Sequence, residues 1–123
     1  MRNSHFKIEI GFGIGLNRHG NHIPYSTREA KLANIRSRAT NLFSGCTIVP
    51  TMGTWTSPAG TLFTEEGRTL IVYVPAVWVT PDGATVPAPD SMASISGLIR
   101  YIKDQLEQEA VALVTTPVNF DIV

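Results

Sequence analysis

A chain of 123 residues is the length of one domain, since separate cores become usual only beyond roughly 250 residues. With 43% hydrophobic and 16% charged residues it is too apolar for intrinsic disorder. Ten basic side chains balance ten acidic ones, without the surplus of Lys and Arg by which nucleic-acid-binding proteins neutralise phosphates. The longest nearly unbroken apolar run, Leu70 to Val79, contains Pro75 and falls well short of the roughly 20 residues that a membrane-spanning helix needs. Polar Met1 to His5 lead into an alternating segment rather than the apolar block of a signal peptide. The expectation is a single domain over residues 1–123 in the cytoplasm, with neither nucleic acid nor membrane as partner. The lone Cys46 makes no internal bridge.

From Phe6 to Leu16 the pattern is two-fold: Phe6, Ile8, Ile10, Phe12, Ile14 and Leu16 fall on one side, with Lys7, Glu9, Gly11, Gly13 and Gly15 on the other. That alternation predicts a first strand with one buried face. Asn17 to Tyr25, carrying Gly20 and Pro24, reads as a loop. Ser26 with Glu29 three residues on has the form of a capping box, and a helix is expected from there to about Phe43, with Leu32, Ile35, Ala39 and Leu42 on its inner face and Gly45 ending it.

Cys46 to Val49 and Met52 to Trp55 form an extended run interrupted by Pro50, a residue that confines a strand to a sheet edge or a bulge. After a turn at 57–60, a third strand runs from about Thr61 to Val74, with a bulge expected at Gly67. Pro75 to Pro89 reads as an excursion holding a short hairpin around Asp82-Gly83. Asp90 or Ser91 is placed to cap a second helix, whose apolar stripe is Ile95, Leu98, Ile99, Ile102 and Leu106. Ala110 to Val114 is the last main strand, and 117–123 is expected to add a short edge strand.

Strand, helix, strand, strand, helix, strand is the order of the α+β ferredoxin-like βαββαβ sandwich, an antiparallel sheet with both helices on one face. The other face is open and must meet solvent, a ligand or another subunit. Residues 1–61 hold seven basic and two acidic side chains, and residues 62–123 hold three and eight. A self-associating protein can match such halves across an interface, although solvated surface accounts for them equally well.

Gly11, Gly13 and Gly15 lack the spacing and the strand-to-helix setting of a dinucleotide-binding loop; they leave room on the open face for a ligand or a neighbouring backbone. His19 and His22 stand in a loop with neither a Cys pair nor a nearby carboxylate in sequence, so no metal is expected. Glu65 and Glu66 are adjacent acids in a strand, where neighbours point to opposite faces, so one is expected on the open face. There a carboxylate can hold a cationic substrate or act as a general base. Glu107, Gln108 and Glu109 close the second helix, where the helix dipole opposes acids, which points to another role such as polar recognition of a ligand. Trp55 and Trp78 offer stacking surfaces.

Gly53-Thr54-Trp55, the turn with Gly60, Thr64-Glu65-Glu66 leading into an apolar strand, and an amphipathic helix ending in Glu107-Gln108-Glu109 before Ala110-Val111-Ala112-Leu113-Val114 together resemble the phage-encoded S-adenosylmethionine lyases, long called hydrolases. The same layout resembles the wider PII-like group of trimeric ferredoxin-like proteins. The likeness covers roughly residues 45–114, and where the family has a tyrosine before the acids this chain has Trp55. What the resemblance implies is a homotrimer in the host cytoplasm that binds S-adenosylmethionine in clefts between subunits. The substrate's own carboxylate would displace methylthioadenosine and leave homoserine lactone, with no cofactor or metal. Glu66 would hold the sulfonium or the amino group, with Glu65 as the second candidate; Trp55, Gln108, Glu109, Gly11 and Gly13 would contact the substrate. Two other readings share these features: a non-enzymatic PII-like sensor of adenine nucleotides, and a structural or interaction protein.

Overall fold

Four alternating apolar side chains, Phe6, Ile8, Ile10 and Phe12, are all buried, and they make their strand the middle of the molecule. The computed structural model describes residues 4–56, 58–76 and 78–123, with the side chains of Trp55 and Trp78 outside the described set. In chain order the elements are β1 (His5–Gly13), α1 (Tyr25–Phe43), β2 (Thr47–Thr56), β3 (Leu62–Pro75), β4 (Trp78–Val79), β5 (Thr85–Val86), α2 (Pro89–Leu106) and β6 (Ala112–Val118). The main sheet runs β2-β3-β1-β6 with every neighbouring pair antiparallel. This is the ferredoxin-like α+β sandwich, and the hairpin β4–β5 turns at Gly83, whose φ of 88° suits glycine.

The core forms between one sheet face and the two helices. Leu32, Ile35 and Ala39 of α1 and Ile95, Leu98, Ile102 and Leu106 of α2 meet Ile8, Ile10, Leu70, Val72 and Val74 of the sheet in one buried cluster. Leu42 is 41% exposed, against expectation. The next inward position after Ala39 is a full turn on, at Phe43, which packs against the core instead. Ile99 sits at the margin of its stripe and is half-buried.

Both helix starts differ from the sequence reading. α1 begins at Tyr25 after Pro24 and α2 at Pro89 after Ala88, and neither has a side-chain cap. Ser26 and Asp90 therefore lie inside the first turns. Pro24 and Pro89 do the work locally, because the fixed φ of proline suits a helix entry and its missing N–H would be unpaired there anyway. At the other end of α1 it is Ser44, not Gly45, that takes the left-handed conformation, with φ 63°.

Pro50 lies within an unbroken β2, which is an edge strand as expected. Gly67 is not a bulge, because its register runs straight through, opposite Gly13 on one side and Thr51 on the other. A Cβ there would stand 2.7 Å from the Phe12 carbonyl oxygen and 2.9 Å from Thr51 Oγ1, so close approach of neighbouring strands explains the glycine. β6 runs through Pro117, tolerated because this strand is the other edge. No strand forms over 119–123: β6 ends at Val118, opposite His5 at the start of β1. Phe120 instead stacks on Tyr73 at 4.5 Å.

Candidate functional site

Register decides which side chains share the open face. Gly11 stands opposite Thr69 and Ala112, Gly13 opposite Gly67, and Gly67 opposite Thr51, while one step further along the strands Gly53 faces Glu65. These rows put residues without bulk at the floor and Glu65 at the end of the floor. The result is a trough of about 290 Å³ lined by Gly11, Gly13, Thr51, Gly53, Glu65 and Gln108 among others. Gln108 closes it from the turn after α2. Its Nε2 donates to the Leu16 carbonyl at 2.7 Å and to the Leu106 carbonyl at 3.2 Å, tying that turn to the loop after β1.

The two adjacent acids separate as strand geometry requires. Glu65 lies over Gly13 so closely that a Cβ on that glycine would overlap its carboxylate. Among the described residues no cation pairs with Glu65. Glu66 is on the helix side. Its Oε2 accepts from Arg28 of α1 and its Oε1 from Arg68, each at 3.3 Å. The expectation that Glu66 faces the open sheet is thus reversed, because Phe12, a buried residue, stands opposite Arg68 and fixes that side of β3 as the inner one. Further along the open face Lys7 and Glu9 pair at 2.9 Å, and the Glu9 carboxylate holds the Lys7 ammonium above its usual range.

Five of the residues singled out from sequence, Gly11, Gly13, Glu65, Glu66 and Gln108, border this one trough. Glu109 is exposed and does not border it. Trp55 belongs to β2, opposite Phe63, but its side chain is outside the described residues. Thr51, Gly67, Arg28 and Arg68 went unread as site residues. Gly67 and the Glu-x-Arg step at Glu66 and Arg68 were visible, but their meaning depends on strands and a helix distant in sequence. His19 and His22 are exposed, and among the described residues no group of three His, Cys, Asp or Glu side chains is placed to hold a metal ion. Nor is any described helix long and apolar enough to cross a membrane.

No family model matches the sequence, and a comparison with curated proteins finds no match. Solved structures do match. A phage SAM lyase in complex with S-methyl-5'-thioadenosine superposes with a TM-score of 0.58 at 17% identity, over 98% of this chain and 88% of that one. The likeness is one of fold. The apo phage SAM lyase gives 0.54 at 18% identity, over 94% and 84% of the two chains. CutA1 from Oryza sativa gives 0.53 at 12% over 98% and 85%. A periplasmic divalent cation tolerance protein, CutA from Archaeoglobus fulgidus, gives 0.52 at 10% over 96% and 87%. These neighbours share the ferredoxin-like fold, which the order of the sequence elements had implied.

Proposed function

We propose that this protein is an S-adenosylmethionine lyase working at clefts between the subunits of a homotrimer. The observation that carries the reading is the carboxylate of Glu65, free of any cation among the described residues and set over a glycine floor beside Gln108. Such a site suits a small cation with room beneath it. A phage SAM lyase holding S-methyl-5'-thioadenosine shares the fold, which supports an adenosyl compound as the ligand. At about 290 Å³ the trough is at the lower limit of ligand pockets. It takes part of such a molecule, and a second copy of the chain packed on the open face would supply the remaining wall.

In the reaction the substrate's carboxylate oxygen bonds to its own γ-carbon while the bond from that carbon to sulfur breaks, and the electron pair stays on sulfur. The sulfonium becomes a neutral thioether, the carboxylate becomes a lactone, and no proton moves. Because opposite charges annihilate, leaving water favours the transition state, and holding the chain folded supplies the high effective molarity of an intramolecular attack. An anion beside the sulfonium would lose its partner as sulfur is neutralised and would favour the ground state. Glu65 therefore serves best on the α-ammonium, whose charge persists throughout, with Gln108 and the glycines shaping the remainder.

Incubation with S-adenosylmethionine, followed by chromatography for methylthioadenosine, tests this directly. Release by the wild type is expected. Glu65→Gln should lower kcat/KM at least tenfold, or about 1.4 kcal/mol. An inactive wild type, or full activity in Glu65→Gln, overturns the reading; binding of ATP without cleavage of S-adenosylmethionine would mark a nucleotide sensor instead. Light scattering should give three times the 13.4 kDa chain mass, and a monomer would remove the inter-subunit cleft.

A further inference from the structure

β1 ends at Gly13, opposite Gly67, and the last main-chain bond tying β3 to that side runs from the Ile14 N–H to the Glu66 carbonyl at 3.0 Å. Beyond this point, among the described residues, the only ladder partner of β3 is β2, an edge strand whose residues from Thr51 to Thr54 are exposed. Glu65 is the first residue past the point where β1 stops supporting β3. A two-stranded ribbon is a poor mount for a side chain whose job depends on placement.

Glu66 sits at that junction. Its two oxygens grip Arg28 of α1 and Arg68 of its own strand, on the face opposite Glu65. Each arginine is anchored again: Arg68 donates to the Gly67 carbonyl at 2.8 Å, and the Arg28 guanidinium lies 5.2 Å from the centre of the Tyr25 ring. The arginine side chains are about four-fifths buried and that of Glu66 is 40% exposed, so solvent screens these contacts only from the carboxylate's side. Arg28 Nε is buried without a partner, a cost this contact carries.

We propose that Glu66 is a positioning residue: through Arg28 it ties β3 to helix α1 where β1 ends, and so fixes the direction in which Glu65 points into the trough. The inference rests on the lyase reading, in which Glu65 holds the substrate's ammonium. Adjacent residues of a strand project to opposite faces, so rotation of β3 about its axis moves both carboxylates together. Clamping Glu66 from below stops Glu65 from swinging above.

Steady-state kinetics with S-adenosylmethionine, together with melting curves, separates the possibilities. An inert wild type sinks the lyase reading, and this inference with it. With an active wild type, Glu66→Gln and Arg28→Gln should each raise KM about tenfold while kcat changes less than threefold, because a contact made equally in ground and transition states was weakened. The double variant should be no worse than either single one, since both remove the same tie. Unchanged KM and kcat in Glu66→Gln would mean that Glu65 is held without this clamp and would overturn the proposal. So would lower kcat with unchanged KM, the mark of a smaller folded fraction, or additive losses in the double variant. Arg28→Lys, which keeps the charge and loses the planar guanidinium, should fall between wild type and Arg28→Gln, and failure to do so also counts against it.

Discussion

Gly13 and Gly67 face each other across β1 and β3, yet adding one methyl group to each should have opposite consequences. At Gly67 the new carbon would stand 2.7 Å from a main-chain oxygen, that of Phe12, and 2.9 Å from Thr51 Oγ1. Neither the ladder nor the packed strand can yield without distortion, and overpacking of this kind costs about 1–3 kcal/mol. For a domain of this length that lowers Tm by roughly 4–15 °C. At Gly13 the methyl group meets only the far end of the Glu65 side chain, its Cδ at 2.7 Å among the contacts. Swinging that side chain aside costs about 0.5–1.5 kcal/mol, offset by roughly 0.4–1 kcal/mol from the reduced freedom of the unfolded chain. Gly13→Ala should therefore melt within a few degrees of the wild type but displace the carboxylate from the trough and reduce turnover of S-adenosylmethionine as Glu65→Gln does. Calorimetric melting of both variants, with the methylthioadenosine assay, checks both halves. If Gly67→Ala is as stable as the wild type, or Gly13→Ala as unstable as Gly67→Ala, the close approach that explains these glycines is wrong.

Leu98→Ala, at a fully buried position, should cost about 2–5 kcal/mol, while Leu42→Ala, in the same kind of stripe but 41% exposed, should cost well under half of that by urea denaturation; equal losses would contradict the inward turn of Phe43. Asp82 accepts a hydrogen bond from the Thr80 hydroxyl and one from the Ala84 N–H, which hold its carboxyl below the usual aspartate value. A lowered folded value means that its contribution to the β4–β5 turn is complete above the unfolded pKa and fades as pH falls through the folded one. NMR titration should find that midpoint below 3.8, and Thr80→Ala should raise it; an unmoved midpoint would dissociate the turn from its hydroxyl.

What was legible in the sequence was periodic. Alternation from Phe6 and the stripe from Ile95 located the central strand and the second helix, because burial on one face leaves its period in the residues. Pro50 placed its strand at an edge, and Asp82-Gly83 its hairpin, for reasons contained in one or two residues. The helix starts were misplaced because Ser26, Glu29, Asp90 and Ser91 have capping chemistry without capping positions, and prolines set the entries instead. The bulge expected at Gly67 failed for a different reason: the crowding that demands a glycine comes from Phe12 and Thr51, on strands far away in sequence. The facing of Glu65 and Glu66 was equally non-local. Alternation says only that they part, and the register with β1 says which goes where.

The placement of β1 also governs how the chain can mature. The strand that leads the sequence takes both of its neighbours from later segments, β3 in the middle and β6 near residue 118. During synthesis Phe6 to Phe12 leave the ribosome before either partner and wait, with one flank unpaired, until Ala112 to Val118 have emerged. Long-range pairing of this kind slows folding and prolongs the exposure of an aggregation-prone edge. The seam between β1 and β6 is thus the last stitch, and a nascent chain stalled before Ala112 would present a strand with four core side chains, Phe6, Ile8, Ile10 and Phe12, to whatever chaperone reaches it first.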